Sequence, residues 1–221
     1  MLDMDGLMID TEVVEFRSWE RAAEDFGWSI SREQYAQLFG RTSRDCWNLM
    51  TAWWEERPAS RGSLTEIADR AAAYAGAEPV TVKKGLFDLL DWAEREEVPV
   101  AVASSSERAV VTARLREAGA DGAVDVTVGG DEVDHGKPAP DIFLEAARRL
   151  GCEPGVCVVL EDSDSGIRAA AAAGMTPFLV PDSSMPRVIP AAVRALAYRT
   201  CESLTDVLDI LSAAPASPGK S

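Results

Sequence analysis

From about residue 80 onward, short apolar runs alternate with longer amphipathic stretches, and this alternation limits how the chain can fold. The apolar runs predict buried strands, whereas apolar positions at helical spacing, as at Ile142, Phe143 and Ala146, predict helices. The predicted strands are 98–103, 124–128, 156–160 and 176–180, and the predicted helices are 107–118, 140–150, 166–173 and 204–211. This order predicts an α/β fold with a doubly wound parallel sheet, in which active sites form at the carboxyl ends of the strands.

Residues 12–79 have a different sequence pattern. They contain amphipathic helical stretches and five of the six tryptophans, but no convincing strand. We therefore predict a small α-helical cap domain at 12–79, inserted into a discontinuous α/β core formed by 1–11 and 80–212. The two crossings between these domains are expected to act as hinges. The small, polar tail at 213–221 contains Pro and Gly and is predicted to be disordered.

The charge balance disfavours two classes of partner. With 22 basic and 37 acidic residues the net charge is -15, so the chain would repel nucleic acid and anionic membrane surfaces. Its apolar runs are far shorter than the roughly 20 residues of a transmembrane helix, and Met1 leads directly into acidic residues rather than a secretory signal. We expect a cytoplasmic protein that is a monomer or weak homo-oligomer.

Histidine and cysteine chemistry has little support in this sequence. His135 is the single histidine, which excludes a metal site built from several histidines. The four cysteines form no CxxC pair and have no zinc-type spacing, so we expect free, buried thiols. The chemistry must therefore rest on carboxylates, lysine, hydroxyl groups or a hard cation.

Four groups of polar residues fall where predicted strands end. Each group alone has a plain explanation, such as a solvated turn or a helix cap. Together they point to one site, because the carboxyl ends of parallel strands meet at the same edge of a sheet. Hydroxyl and N–H groups at Ser104 and Ser105, between a strand and a helix, can also bind phosphate. The groups are Asp3-Met4-Asp5-Gly6, Ser104-Ser105-Ser106, Gly136-Lys137-Pro138 and Glu161-Asp162-Ser163.

These residue types suit the hydrolysis of a phosphate monoester. The substrate is anionic and repels nucleophiles, so an attacking carboxylate at Asp3 needs a hard cation, and Mg²⁺ held by Asp3 and Asp162 fits. Asp5 can protonate the leaving alcohol and then deprotonate the water that cleaves the aspartyl phosphate. Lys137 and Ser104 would balance the charge on the phosphoryl oxygens.

The segments DMDGLMIDTE, VAVASSS, GKPAPDIFL and VLEDSDSGIRAA, in this order, resemble the motifs of haloacid dehalogenase superfamily hydrolases. The similar group has a helical cap inserted after the first motif and includes β-phosphoglucomutase and many sugar phosphatases. The resemblance implies a Rossmann-like core with a mobile cap, and it covers nearly the whole chain. It implies Asp3 as nucleophile, Asp5 as acid/base with its main-chain carbonyl on the metal, Ser104 and Lys137 as phosphate ligands, and Glu161 with Asp162 around Mg²⁺.

Within this group the residues favour a phosphatase. Asp5 favours phosphoester chemistry over dehalogenation, because a dehalogenase has no alcohol leaving group to protonate. Phosphonate cleavage normally uses a cap lysine, and residues 12–78 contain none. Similar mutases commonly have a histidine four residues after the DT of the first motif, whereas Asp10-Thr11 is followed by Glu15. We predict a Mg²⁺-dependent phosphatase of sugar or sugar-alcohol phosphates, with a phosphosugar mutase as the alternative.

Two cap residues, Glu15 and Arg44, are candidates for substrate specificity. Arg44 lies in a stretch that resembles the family's specificity loop, and an exposed arginine at a helix start explains it equally well. Only Met1 and Leu2 precede Asp3, where similar proteins have several apolar residues, so either the sequence starts too far downstream or the central strand is a stub. For that reason a catalytically inactive member that binds a phosphorylated metabolite stays open, as does a partner-binding protein that uses the tryptophan-rich cap.

Overall fold

The computed structural model of the protein describes residues 1–38, 43–56, 62–184 and 188–213, with only the backbone described at 43 and 44. Its strands confirm the predicted α/β fold. They are β1 (Ala101–Ala103), β2 (Val126–Val128), β3 (Val158–Glu161), β4 (Thr176–Leu179) and β5 (Arg199–Thr200). The sequence pattern missed β5, because both of its residues are exposed and carry no apolar signal.

The N-terminal segment joins two parallel pieces of sheet. β1 pairs with β2, while β3 pairs with β4 and β4 with β5. Leu2 forms parallel bridges with both Val102 and Leu160. Its amide donates to the Ala101 carbonyl at 2.8 Å, and the amide of Asp3 donates to the Leu160 carbonyl at 3.1 Å. The expected stub is therefore paired on both sides, and it delivers Asp3 between the ends of β1 and β3.

Helices cover both faces of this sheet. Val102 and Leu160 pack into one apolar core, whereas Ala103 and Val159 pack into another. Because neighbouring strand residues point to opposite faces, these cores lie on the two sides of the sheet. The helices on the first face are α5 (Leu86–Arg95), α6 (Arg108–Ala118) and α10 (Leu204–Ala213). Those on the second face are α7 (Asp141–Leu150) and α8 (Asp164–Ala172). The short helix α9 (Ala191–Arg194) packs beside α8.

Four α-helices among the described residues lie where the cap was predicted and have a core of their own. This core includes Phe16, Trp28 and Ile67. Ser31 and Ser63 close capping boxes at the starts of two of the helices, which satisfies N–H groups that the helix itself leaves unpaired. The helices are α1 (Thr11–Asp25), α2 (Arg32–Tyr35), α3 (Ser43–Glu55) and α4 (Leu64–Ala77). The division at 12 and 79 stays a prediction, and residues 214–221 of the predicted tail lie outside the described residues.

No helix in the described part of the chain combines the length and apolar character needed to cross a bilayer. All four cysteines are free thiols, as predicted, although only Cys157 and Cys201 are fully buried.

A packed cap core predicts a clear loss of stability on truncation of Ile67. This side chain is fully buried on α4, and Ile67→Ala is expected to lower the free energy of unfolding by about 2–5 kcal/mol because it leaves a cavity. Urea denaturation followed by tryptophan fluorescence measures the loss. Asp69→Ala, at an exposed position of the same helix, is the control and is expected to change the free energy by less than about 0.5 kcal/mol. Equal effects of the two substitutions would contradict a packed core.

Candidate active site

Polar side chains are buried where the N-terminal segment ends between β1 and β3. Asp3 is 7% exposed, and Ser104, which follows β1, is 1% exposed. Glu161 ends β3 and Asp162 follows it, and both are buried. Burying carboxylates is costly unless they are paired or hold a cation. Their position at the carboxyl edge of a parallel sheet is where sites form in such folds.

Lys137 connects two of these strand ends. Its Nζ donates to Asp3 Oδ1 at 2.5 Å, to Glu161 Oε1 at 2.7 Å and to the Ala103 carbonyl at 3.1 Å. Nζ also lies 4.9 Å from the centre of the Phe143 ring. Burial works to lower the pKa of Lys137, but the charges of Asp3 and Glu161 outweigh it and the pKa is raised. The side chain therefore stays a cation at the centre of the site.

The pKa of Asp3 is raised to about 7. Burial is the largest cause of this increase. The charge of Lys137 lowers the pKa of Asp3, and the charges of Glu161 and Asp5 raise it further. Only the carboxylate form is a nucleophile, so additional positive charge beside Asp3 would favour the reactive form. This is the electrostatic reason that the site suits a bound cation.

Glu161 holds Lys137 in place. Its Oε1 accepts from Lys137, and its Oε2 accepts from the amide and the hydroxyl of Ser163, each at 2.8 Å. A Cβ at Gly166, in the first turn of α8, would collide with this carboxylate. Protein donors engage both oxygens, so Glu161 is a partner of Lys137 here, and its place around Mg²⁺ stays a prediction.

Two hydroxyl groups hold Asp5. Its Oδ2 accepts from Ser104 Oγ at 3.2 Å and from Ser106 Oγ at 3.1 Å. Ser104 Oγ in turn accepts from the amide of Ser106 at 3.1 Å, which fixes the turn after β1. Ser105 is exposed in the same turn. The serines thus orient Asp5 in this structure, in addition to their predicted role towards phosphate.

The donor set around Asp162 suits Mg²⁺ only in combination with other oxygens. Gly6 has a φ of 85°, and a Cβ there would collide with the Asp162 carboxylate, so the turn of the first motif lies close against it. No three acidic, histidine or cysteine side chains in the described ranges stand close enough together to hold a metal alone. Asp3 and Asp162 would share the ion with the Asp5 main-chain carbonyl and substrate oxygens, and Mg²⁺ commonly takes one or two carboxylates plus phosphate oxygens.

Glu15 lies on α1 at the boundary between the helical cap and the core, where Arg114 of α6 lines the same crevice. Desolvation raises the pKa of Glu15 and the charge of Asp5 raises it further, while Arg114 and a hydrogen bond with Tyr35 oppose this. Glu15 as a whole is exposed, so its carboxylate is accessible from this crevice. Arg44 lies in the first turn of α3, and its side chain is outside the described part of the chain.

Sequence reasoning missed two residues beside the site. Ser106 was part of a recognised serine run, but nothing local showed that its hydroxyl reaches Asp5. Asp182 is buried in the loop after β4, and its charge contributes to a pKa of Asp162 that burial, Glu161 and Asp3 raise well above the ordinary value. No short motif marks Asp182, because only the fold brings it near Asp162.

The fold and this group of residues define a hydrolase family. A model of the haloacid dehalogenase-like hydrolases matches residues 1–174. The chain belongs to this family, as its motifs predicted. Fructose-1-phosphate phosphatase YqaB from Escherichia coli is 35% identical over 181 residues, which are 79% of this chain and 92% of that protein.

One further protein is similar to this chain in sequence and another in structure. A bifunctional riboflavin kinase/FMN phosphatase from Arabidopsis thaliana is 48% identical over 190 residues, 85% of this chain but only 48% of that protein. The crystal structure of a proposed β-phosphoglucomutase from Thermotoga maritima is 28% identical, with a TM-score of 0.81 over 97% of this chain and 98% of that one. The predicted enzyme class, a hydrolase of phosphoric monoesters, is confirmed at the level of the family and its phosphatase members.

Proposed function

We propose that this protein is a Mg²⁺-dependent phosphatase that hydrolyses sugar or sugar-alcohol monophosphates through an aspartyl phosphate. The ionic cluster of Asp3, Lys137 and Glu161, with Asp5 held beside it, carries the proposal. A protein that only binds phosphate has no need of both Asp3 and Asp5. Two carboxylates in different surroundings suit a nucleophile and an acid/base group.

The mechanism follows from the position of each side chain. Lys137 fixes Asp3 through Oδ1 and presents positive charge to the entering phosphoryl group. Asp3 attacks phosphorus and forms the aspartyl phosphate, while Asp5 donates a proton to the leaving alcohol oxygen. Asp5 then removes a proton from water, which cleaves the aspartyl phosphate at phosphorus, releases phosphate and restores Asp3. Bound Mg²⁺ would supply charge neutralisation on the phosphoryl oxygens.

The cap residue Glu15 supports a substrate with a neutral, hydroxyl-rich leaving group. Glu15 lies exposed at the cap–core boundary, where its carboxylate can accept hydrogen bonds from sugar hydroxyls. The same charge would repel a second phosphate. YqaB is named for its action on fructose 1-phosphate, a small sugar monophosphate of this kind.

A phosphosugar mutase is the second candidate function. The structural similarity to the proposed β-phosphoglucomutase from Thermotoga maritima, which extends over nearly the whole chain, favours this function. A mutase of this type must hold a substrate with two phosphates, and a carboxylate at Glu15 disfavours the second one. We therefore rank the mutase below the phosphatase.

The test is phosphate release from hexose, pentose, hexitol and nucleotide monophosphates, with Mg²⁺ and with EDTA. We expect release from a subset of the sugar phosphates, and at least an approximately 100-fold slower rate in EDTA, because removing the cation leaves phosphoryl charge unbalanced. Excess Mg²⁺ added after EDTA serves as the control and should restore the rate. An isomerised sugar phosphate without free phosphate would favour the mutase, and binding without either product would favour an inactive member.

A further inference from the structure

The two linkers between the helical cap and the core are hydrogen-bonded to each other. The amide of Asp10, just before α1, donates to the Thr81 carbonyl at 2.9 Å. The amide of Lys83, just before α5, donates to the Met8 carbonyl at 2.8 Å. A large movement of the cap against the core must strain or open this pair of linkers.

Lys83 ties both linkers to the loop that follows β4. Its Nζ donates to Asp10 Oδ1 at 2.7 Å, to Asp182 Oδ1 at 2.5 Å and to Ser184 Oγ at 3.1 Å. Ser184 Oγ also donates to Asp10 Oδ2 at 3.1 Å. The Asp182 side chain is fully buried and that of Lys83 is 17% exposed. Low exposure strengthens the attraction between these charges, and removing Lys83 would leave Asp10 and the buried Asp182 without their shared cation.

The cap contacts this same loop directly. Arg32, the first residue of α2, donates from Nη2 to the Ser184 carbonyl at 2.8 Å. The two residues are 152 positions apart in the chain, so the contact joins separate structural units. The 182–184 loop is therefore held by the linkers on one side and by a cap arginine on the other.

The loop is also connected to the catalytic edge of the sheet. β4, which precedes it, pairs with β3, and the amide of Val180 donates to the Glu161 carbonyl at 2.8 Å. Glu161 is one of the residues that hold Lys137. The 182–184 loop is thus connected both to the cap, through Arg32, and to Lys137, through β4 and Glu161.

From these contacts we propose that Arg32 and Lys83 are positioning residues, which act through the 182–184 loop to hold the cap seated over the active site. Their hydrogen bonds described above go to Asp10 and the 182–184 loop, and not to Asp3, Lys137 or Glu161. The effect on turnover rests on the proposed phosphatase function, whereas the effect on the seating of the cap does not.

The seating is tested by site-resolved amide hydrogen exchange on the full chain without substrate. Arg32→Ala is expected to speed exchange at Asp10 and Lys83 about three- to tenfold, because a hydrogen bond from a charged donor is lost. Arg32→Lys keeps a cation within reach of the carbonyl and is expected to stay within about twofold of the wild type. Arg17→Ala, at an exposed position of α1, is the matched control and should change neither amide.

Turnover of a sugar phosphate tests the positioning role. Arg32→Ala is expected to lower kcat/KM about three- to tenfold, mainly through KM, because a smaller fraction of the molecules presents the closed site. Arg32→Lys should recover most of this loss. Lys83→Met should speed exchange at Asp10 more than Arg32→Ala does, because Asp10 and Asp182 lose their shared cation. Lys84→Met, at the exposed neighbouring lysine, is its control.

Each outcome bears on the proposal. Equal exchange in Arg32→Ala and Arg17→Ala would overturn the seating of the cap. Faster exchange with an unchanged kcat/KM would overturn the positioning role. Absence of turnover in the wild type would instead refute the phosphatase function, and the exchange comparison would still decide whether Arg32 seats the cap.

Discussion

Replacing Asp3 by asparagine is expected to reduce phosphate release at least about 10⁴-fold, the scale of loss seen when a covalent nucleophile is removed. The amide has nearly the same size and its oxygen can still accept a hydrogen bond from Lys137, so the site keeps its shape. A neutral amide oxygen does not form the aspartyl phosphate. The measurement is phosphate release at saturating sugar phosphate and Mg²⁺.

Asp91→Asn is the matched control for this substitution. Asp91 is exposed on α5, a helix that covers one face of the sheet, and its conversion should leave turnover within about twofold of the wild type. Circular dichroism of both variants checks that the fold is kept. Retention of more than about 1% of the activity by a folded Asp3→Asn variant would exclude Asp3 as the nucleophile.

Replacing Lys137 by methionine is expected to affect both catalysis and folding. We expect kcat/KM to fall about 10³-fold, because a preorganised cation facing the phosphoryl group is lost. The free energy of unfolding should fall by about 3–5 kcal/mol, because Asp3 and Glu161 are left as buried like charges without their cation. Steady-state kinetics and urea denaturation measure the two effects.

A double substitution separates these effects. Lys137→Met combined with Glu161→Gln removes one of the two stranded charges, so much of the stability should return while turnover stays low. Lys84→Met, at an exposed lysine, is the control for the loss of a positive charge. Recovery of turnover together with stability would show that Lys137 supports the fold only and takes no part in the reaction.

Much of the fold could be predicted because its signals are local. A strand buried on both faces gives a short apolar run, and a helix against a sheet gives apolar residues at helical spacing, so the two kinds of element are distinguishable in the sequence. The four polar groups could be assigned to one edge because parallel strands end on the same side of a sheet. β5 was missed because two exposed residues give neither signal.

Side-chain pairing could not be predicted in the same way. The contact of Lys137 with Asp3 spans 134 positions, and that of Lys83 with Asp182 spans 99, so no local spacing encodes them. The role of Glu161 shows the consequence. The family resemblance implies a place for Glu161 around Mg²⁺, and only the fold shows that Lys137 and the Ser163 amide and hydroxyl reach its two oxygens.

The sequence by itself determined the family, the alternation of strands and helices, and the chemical types of residue available at the strand ends. These follow from the order of residues along the chain and from the hydrogen-bonding needs of each element. The tertiary structure alone decided that the short N-terminal segment is paired on both sides, that hydroxyls hold Asp5, and that a cap arginine reaches the loop beside Asp182. Such contacts depend on distances between residues far apart in the chain, and those distances exist only once the sheet and the cap have packed.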